Sequence, residues 1–268
     1  MARSIWGGSI SFGLVNIPVK LYPAIRSKQV HFHLLHDKDK VRVRQKLVCP
    51  AEHNKEVPRE DTVRGFELSP ERLVVVEPGE LEALAPKASR TIEIVDFVDL
   101  ASIDSLFFNQ PYYALPDERS AKPYRLFLEA MRRTKKVGLG TFVMREKQYL
   151  AALRPLENLV CLETMYYADE VVRREGLEGA GAAAEAKVGE RELKMAEQLI
   201  RSLSTGFKPQ KYHDEYREAV RDLIEKKARG KHVVAQAHQQ KKPQVIDLMS
   251  ALKASVEESK KTKKRKVA

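Results

Sequence analysis

Hydrophobic and polar positions alternate in short bursts through the first 170 residues. In SISFGLVNIPVKLY (9–22), Ile10, Phe12 and Leu14 share one face of an extended chain, and Val15, Ile17, Val19 and Leu21 share another. The phase slips by one residue between Leu14 and Val15, which in a period-two pattern marks a β-bulge or a sharp bend. Pro18 has no amide to give to a ladder and belongs at an edge or a bulge. Further bursts at 41–48 (VRVRQKLV), 72–77, 91–98, 141–145, 149–155 and 159–167 predict strands, the last three forming a meander. Many short strands without alternating helices predict a closed or nearly closed antiparallel sheet rather than a doubly wound fold.

A helical period interrupts the strands once. KPYRLFLEAMRRTKK (122–136) sets Tyr124, Phe127, Leu128 and Met131 on one line and Leu126, Ala130 and Arg133 on another. Its basic end suits the negative pole of a helix dipole. Gly138 and Gly140 in the following VGLGTF read as a helix-to-strand turn. Beyond Tyr167 the composition changes. Small residues over 176–189 read as a linker. An amphipathic helix at 190–203 lines up Leu193, Ala196, Ile200 and Leu203, and a second lines up Tyr216, Ala219, Val220, Leu223 and Ile224 and stops at Gly230. A second linker follows, and helical period returns over 245–259 through Val245, Leu248, Met249, Leu252 and Val256. The last residues, 260–268, have almost nothing to bury and are expected to be a disordered basic tail. The division is a β core over 1–175, a linker at 176–189, a helical pair at 190–229, a linker and short helix at 230–259, and the tail. The fold class is α+β.

Charge adds the first functional information. The chain carries 48 Lys and Arg against 37 Asp and Glu, a net +11, which favours polyanionic partners. The two cysteines, Cys49 and Cys161, lie far apart and make no disulfide framework. The N-terminus lacks a continuous apolar signal region, and no run approaches the apolar length of a membrane span. A soluble, cytoplasmic, nucleoid-associated protein with no membrane partner is expected. No nucleophile elbow, P-loop, zincin motif or dinucleotide fingerprint is present.

His31, His33 and His36, with Cys49 and His53 downstream, lack the spacing of a four-ligand metal site and read as ordinary histidines. Cys161, within LVCLE, reads as a buried, inert thiol. Asp96 and Asp99 can be proposed as nuclease ligands but lack clustered partners. Neither a metal nor a cofactor is expected. The basic residues are better organised. Lys38, Lys40, Arg42, Arg44 and Lys46 occupy every second position, so on a strand they form a one-sided stripe of cations about 6.6–6.8 Å apart. An edge strand protected from aggregation needs only one or two such charges. No aromatics accompany the stripe, so duplex backbone contact is expected rather than base stacking. Lys20, Arg132, Arg133, Lys135 and Lys136 are the next candidates for DNA contact, and Lys260, Lys261, Lys263, Lys264, Arg265 and Lys266 supply a tail contact.

IWGGSISFGLVNIPVKLY resembles the opening of bacterial Ku proteins, the end-binding factors of non-homologous end joining. The resemblance continues, in order, through SRTIEIVDFV, PYYALPD, LAALRP, ETMYYADEV, KMAEQLI and KYHDEYREAV, to about residue 227. It implies a homodimer in which each subunit gives a β-barrel, an extended bridge somewhere in 25–75 and a helical arm. Two barrels and two bridges then close a ring around duplex DNA ends. The segment Ser9–Tyr22 becomes barrel wall, bent by its bulge. Leu193, Ile200, Tyr216, Val220 and Leu223 fall on the dimer arm. Some relatives carry C-x-x-C near Cys49, whereas this chain has CPAEHNKEV. Leu248, Met249 and Leu252 look like the element that docks the family's ATP-dependent DNA ligase D. The implied role is not enzymatic. The rival readings are a general nucleic-acid coat without end preference, a metal- or lysine-dependent end-processing enzyme, and a scaffold acting mainly through its ligase-docking helix.

Overall fold

A computed structural model describes residues 3–70, 72–84, 90–174, 177–230 and 248–267. The segment expected to be one bulged strand is two: β1 (Trp6–Phe12) and β2 (Val15–Pro23), antiparallel, with Phe12 opposite Val15. The phase slip is a two-residue hairpin loop. Gly13 takes a φ of +58°, which glycine adopts without steric cost, and Leu14 at the tip is fully exposed. Pro18 sits where the next strand's ladder ends, as an amide-less residue must.

Five more strands complete a closed barrel: β7 (Thr91–Asp99), β8 (Phe108–Pro116), β9 (Lys136–Met144), β10 (Lys147–Leu156) and β11 (Leu159–Met165). Around the barrel the order is β1, β2, β8, β11, β10, β9, β7, and a parallel pairing of β7 with β1 closes it. The core is therefore α+β, and the β9–β10–β11 meander is present. The pattern did not reveal β8, because Asn109, Gln110, Pro111 and Pro116 break its alternation.

Helix α2 (Ala121–Thr134) caps one end of the barrel and buries Tyr124, Phe127, Leu128 and Met131, the predicted line. Phe12 stacks on Phe127 at 4.9 Å, and Phe97 meets both rings edge-on. The Tyr124 hydroxyl is inserted between β8 and β11: it accepts from the Val160 amide and donates to the Ala114 carbonyl, both at 2.7 Å. Burial raises the phenol's pKa and keeps it in the neutral form, which can donate.

The helix-to-strand turn is at Lys135, left-handed at φ 57°, not at VGLGTF. Gly138 and Gly140 lie within β9 beside a register shift in β7 between Ile94 and Asp96. A Cβ on Gly140 would stand 2.2 Å from the Glu93 carbonyl oxygen, so the glycine lets the kinked strand approach.

Between β2 and β7 the chain leaves the barrel. This excursion holds two small hairpins, β3 (Val48–Cys49) with β4 (Lys55–Glu56) and β5 (Arg64–Ser69) with β6 (Arg72–Val76), and helix α1 (Pro78–Leu84). The strand expected at 41–48 is not formed; only Val48 of that stretch lies in a strand.

Contacts divide the chain into two units: the chain up to Val172 without Gln29–His31, and Gln29–His31 with Arg173 onward. The second unit contains α3 (Ala180–Glu185), inside the expected linker, then α4 (Glu190–Leu203), α5 (Glu215–Ala228) and α6 (Leu248–Val267). The segment 260–267, expected to be disordered, is helical. It has no Gly or Pro and is rich in Lys, so it extends a helix that an apolar turn has nucleated. The second linker and the first residues of the helical stretch expected over 245–259, Val245 among them, fall at 231–247 and lie outside the described residues; Gly230, with a φ of +73°, ends α5. No helix among the described residues is long and apolar enough to cross a membrane.

Tyr124→Phe removes one hydroxyl that serves two buried backbone groups. A loss of about 1–3 kcal/mol is expected, read as a lower urea midpoint with an unchanged slope.

Candidate nucleic-acid interface

The strand registers assign each barrel terminus to an end. One end holds the β1–β2 loop, the start of β9, the end of β7 and α2. The other holds the start of β1, the end of β2, the start of β7 and the β9–β10 hairpin. At this second end Trp6 donates its indole N–H to the Val143 carbonyl at 2.9 Å and packs edge-on against Phe142. The excursion departs after Pro23 and returns at Thr91, so both its feet are on this end.

No described residue from Ala24 to Arg90 is buried. Phe32 and Leu34 are each 71% exposed, Phe66 63% and Leu73 69%. An isolated two-stranded hairpin is at best marginal in water, and here both limbs are apolar and uncovered. The charge is also uneven. Residues 24–46 carry seven Lys and Arg against two Asp, whereas 47–90 carry six against nine Asp and Glu.

The five-cation stripe folds differently from a strand. The amide of Val43 donates to Leu34, and that of His36 to Val41, so residues 34–43 form an irregular hairpin turning at Asp37–Asp39. Alternating Asp and Lys favour a turn here. Asp39 accepts from the Val41 amide at 3.0 Å and lies 3.0 Å from His36 Nδ1, and these contacts lower its pKa in that order. Lys40 adopts a φ of 58°, and its ammonium is held by the carbonyl and carboxylate of Asp37. Lys46 is paired with Glu56. All five cations are exposed, but Lys38, Arg42 and Arg44 alone of them lack an ion pair among the described residues. Arg42 and Arg44 lie on the return limb and, with Phe32, Leu34 and Val41, line an open concavity.

The other predicted cations are not brought together. Lys20 is exposed on β2, opposite Gly7 and Leu115, towards the end that carries the excursion. Arg132, Arg133, Lys135 and Lys136 gather at the opposite end. There Arg132 pairs with Glu129, and Lys136 pairs with Asp99 at 3.0 Å. Asp99 is thus a charge partner, and Asp96 is an exposed residue of β7. Among the described residues no three His, Cys, Asp or Glu side chains are grouped as a metal site needs. The pattern missed the cations that flank the excursion's feet and the adjacent hairpin: Arg26, Lys28, Arg90, Arg145 and Lys147. The signal available was REK between two strand bursts, a hairpin tip with two cations.

In the helical unit the predicted face of α4 is split. Leu193 and Ile200 are exposed, at 46% and 65%, whereas Ala196 is half-buried; on α5, Tyr216 is 79% exposed and Val220 and Leu223 are half-buried. Met249 and Leu252 of α6 are half-buried. The side chains of Leu248 and of the tail cations Lys260, Lys261, Lys263, Lys264, Arg265 and Lys266 lie outside the described part of the structure.

The Ku70/Ku80 beta-barrel domain family matches residues 11–195, which take in nearly all of the barrel and the whole excursion. The chain belongs to the Ku family. It is 48% identical to a non-homologous end joining protein Ku of Anaeromyxobacter sp. (strain K), over 96% of this chain and 86% of that protein. It is 41% identical to a Ku protein of Heliobacterium modesticaldum, over 100% and 96%. A Ku protein of Archaeoglobus fulgidus is 40% identical, over 95% and 98%. The family match therefore takes in the excursion along with the barrel and runs on through α3 into α4.

Cys161, on β11, is 1% exposed, and Arg154 and Glu163 pair beside it at 2.5–2.6 Å. Burial, only partly offset by Arg154, pushes the thiol up to about 11. At pH 8 about one native Cys161 in a thousand is then a thiolate. A chromogenic disulfide reagent at that pH is expected to titrate one thiol per native chain, Cys49, and two after denaturation. Prompt reaction of both in the native protein would contradict the packing.

Proposed function

We propose that the chain binds double-stranded DNA ends as a homodimeric ring, shields them and recruits the end-joining ligase. The observation that carries this reading is the 67-residue excursion from Ala24 to Arg90. It leaves and re-enters one end of a closed barrel and contains no buried described residue. A segment with so much uncovered apolar and cationic surface is stabilised by what it meets in the assembly. Duplex DNA and a second copy are the two surfaces that suit it: phosphates for Lys38, Arg42 and Arg44, protein for Phe66, Leu73 and the other uncovered apolar side chains. The excursion is the bridge of the ring in this reading.

The exposed Leu193, Ile200 and Tyr216 support the helical pair as the arm that embraces the second subunit. The basic half of the excursion faces DNA through phosphates alone, which suits binding that needs an end and no sequence. The stripe Met249–Leu252 is the ligase-docking element, and the cations at 260–266 add a further DNA contact.

Charge reversal at Arg42 and Arg44 is expected to weaken binding to all duplex sequences alike. It should also reduce the salt slope by roughly 0.9 for each phosphate that is no longer neutralised. The same reversal at Arg132 and Arg133, at the opposite end of the barrel, should act more weakly. Affinity measured on several duplexes at three salt concentrations checks both.

Competition decides between a ring and a coat. Labelled linear duplex is challenged with unlabelled linear DNA and with an equal mass of covalently closed circle. The ring predicts competition by linear DNA only. Equal competition by the circle means a lateral phosphate binder.

A further inference from the structure

Helix α6 does not stand free: it packs against α4 within the helical unit. The α4 positions that lose exposure are Glu192, Met195, Ala196, Leu199 and Ser202, one stripe at three- and four-residue spacing. On α6 the matching positions are Met249, Ala251, Leu252 and Val256, the last only 6% exposed. This stripe of α4 is distinct from the one that carries Leu193 and Ile200, so the helix has two working faces. One is already occupied by the chain's own C-terminal helix.

Among the described side chains the contact between the two helices buries little. Val256 is the one described side chain of either helix that is buried. The connection from Gly230 to Leu248 is rich in Gln, Lys and His and contains a proline. Helix pairs held by so little buried apolar surface open at low free energy.

We propose that α6 is an exchangeable clasp: the Met195–Ala196–Leu199 face of α4 is a docking groove for an amphipathic helix, and its resting occupant is residues 248–258 of the same chain. The docked state masks Met249 and Leu252. Resting on the reading that these residues dock the ligase, the clasp makes recruitment depend on release, because apparent affinity falls with the fraction of chains that are open. The helix is continuous from Leu248 to Val267, so release also frees its cationic half.

The test uses the full-length chain and a fluorescein-labelled synthetic peptide of residues 248–267. In Leu252→Asp/Val256→Asp the chain's own clasp is disabled and the α4 groove is left intact. The peptide should bind this variant at least about tenfold more tightly than the parent, whose groove is filled. Adding Leu199→Asp should abolish the gain, which separates groove binding from attraction of the basic peptide to acidic surface. In parallel, Leu199→Asp alone should raise hydrogen exchange over 248–258. Equal peptide binding by parent and variant, absence of binding to both, or a gain that survives Leu199→Asp overturns the clasp. None of these readouts involves the ligase. If the clasp exchanges as expected and the ligase ignores Met249→Asp, the docking reading alone fails.

Discussion

The parallel seam between β1 and β7 is the contact on which the rest of the molecule depends. Ser9 donates its amide to the Arg90 carbonyl at 2.8 Å, and the ladder runs on for three residue pairs from Ser9 opposite Thr91. The approach is so close that a Cβ on Gly8 would stand 2.1 Å from that same carbonyl oxygen. Closure leaves no open sheet edge. It also requires the chain to come back to the strand beside which it left. From the registers and strand spacing, Pro23 and Thr91 lie roughly 20 Å apart. Everything between them must therefore go out from the barrel and return to nearly the same place.

That constraint separates two kinds of surface. The barrel interior is filled from both ends, by Trp6 with Phe142 at one and by Phe12 with Phe127 at the other. It is complete within one chain. The excursion shares none of that core, and its hairpins have neither a third strand nor a covering helix among the described residues. The barrel is complete in itself, and under the proposed ring the excursion is the part that a partner finishes. Long loops add little closure entropy, so a barrel can carry such a segment without losing its own stability.

The helical unit follows a similar economy. One stripe of α4 is satisfied by α6 within the chain, and another stays exposed with Tyr216 of α5. This basic member of the Ku family thus presents three surfaces of different character: a cationic limb, an uncovered apolar set, and an intramolecular contact between α4 and α6.

Much of this was legible in the residues taken alone. Period-two alternation marked β2, β7, β10 and β11, and a 3.6-residue period marked α2 with its four buried residues, because burial on one face leaves that imprint on any chain. The buried Cys161 was legible for the same reason. Three features were decided only by tertiary structure. The slip at Leu14–Val15 looks the same for a bulge and a hairpin, and the pairing of Phe12 with Val15 settles it. Strand β8 carries two prolines and two amides and is held by neighbours on both sides rather than by its own pattern. The cations of the stripe alternate as a strand would, yet Asp37 and Asp39 turn the chain and Asp37 neutralises Lys40 locally. Their partition from Arg132–Lys136 to opposite barrel ends follows from strand register, a long-range pairing. Local periodicity records which side of an element is buried. It holds no record of which elements meet, and so none of which end of the barrel each charge reaches.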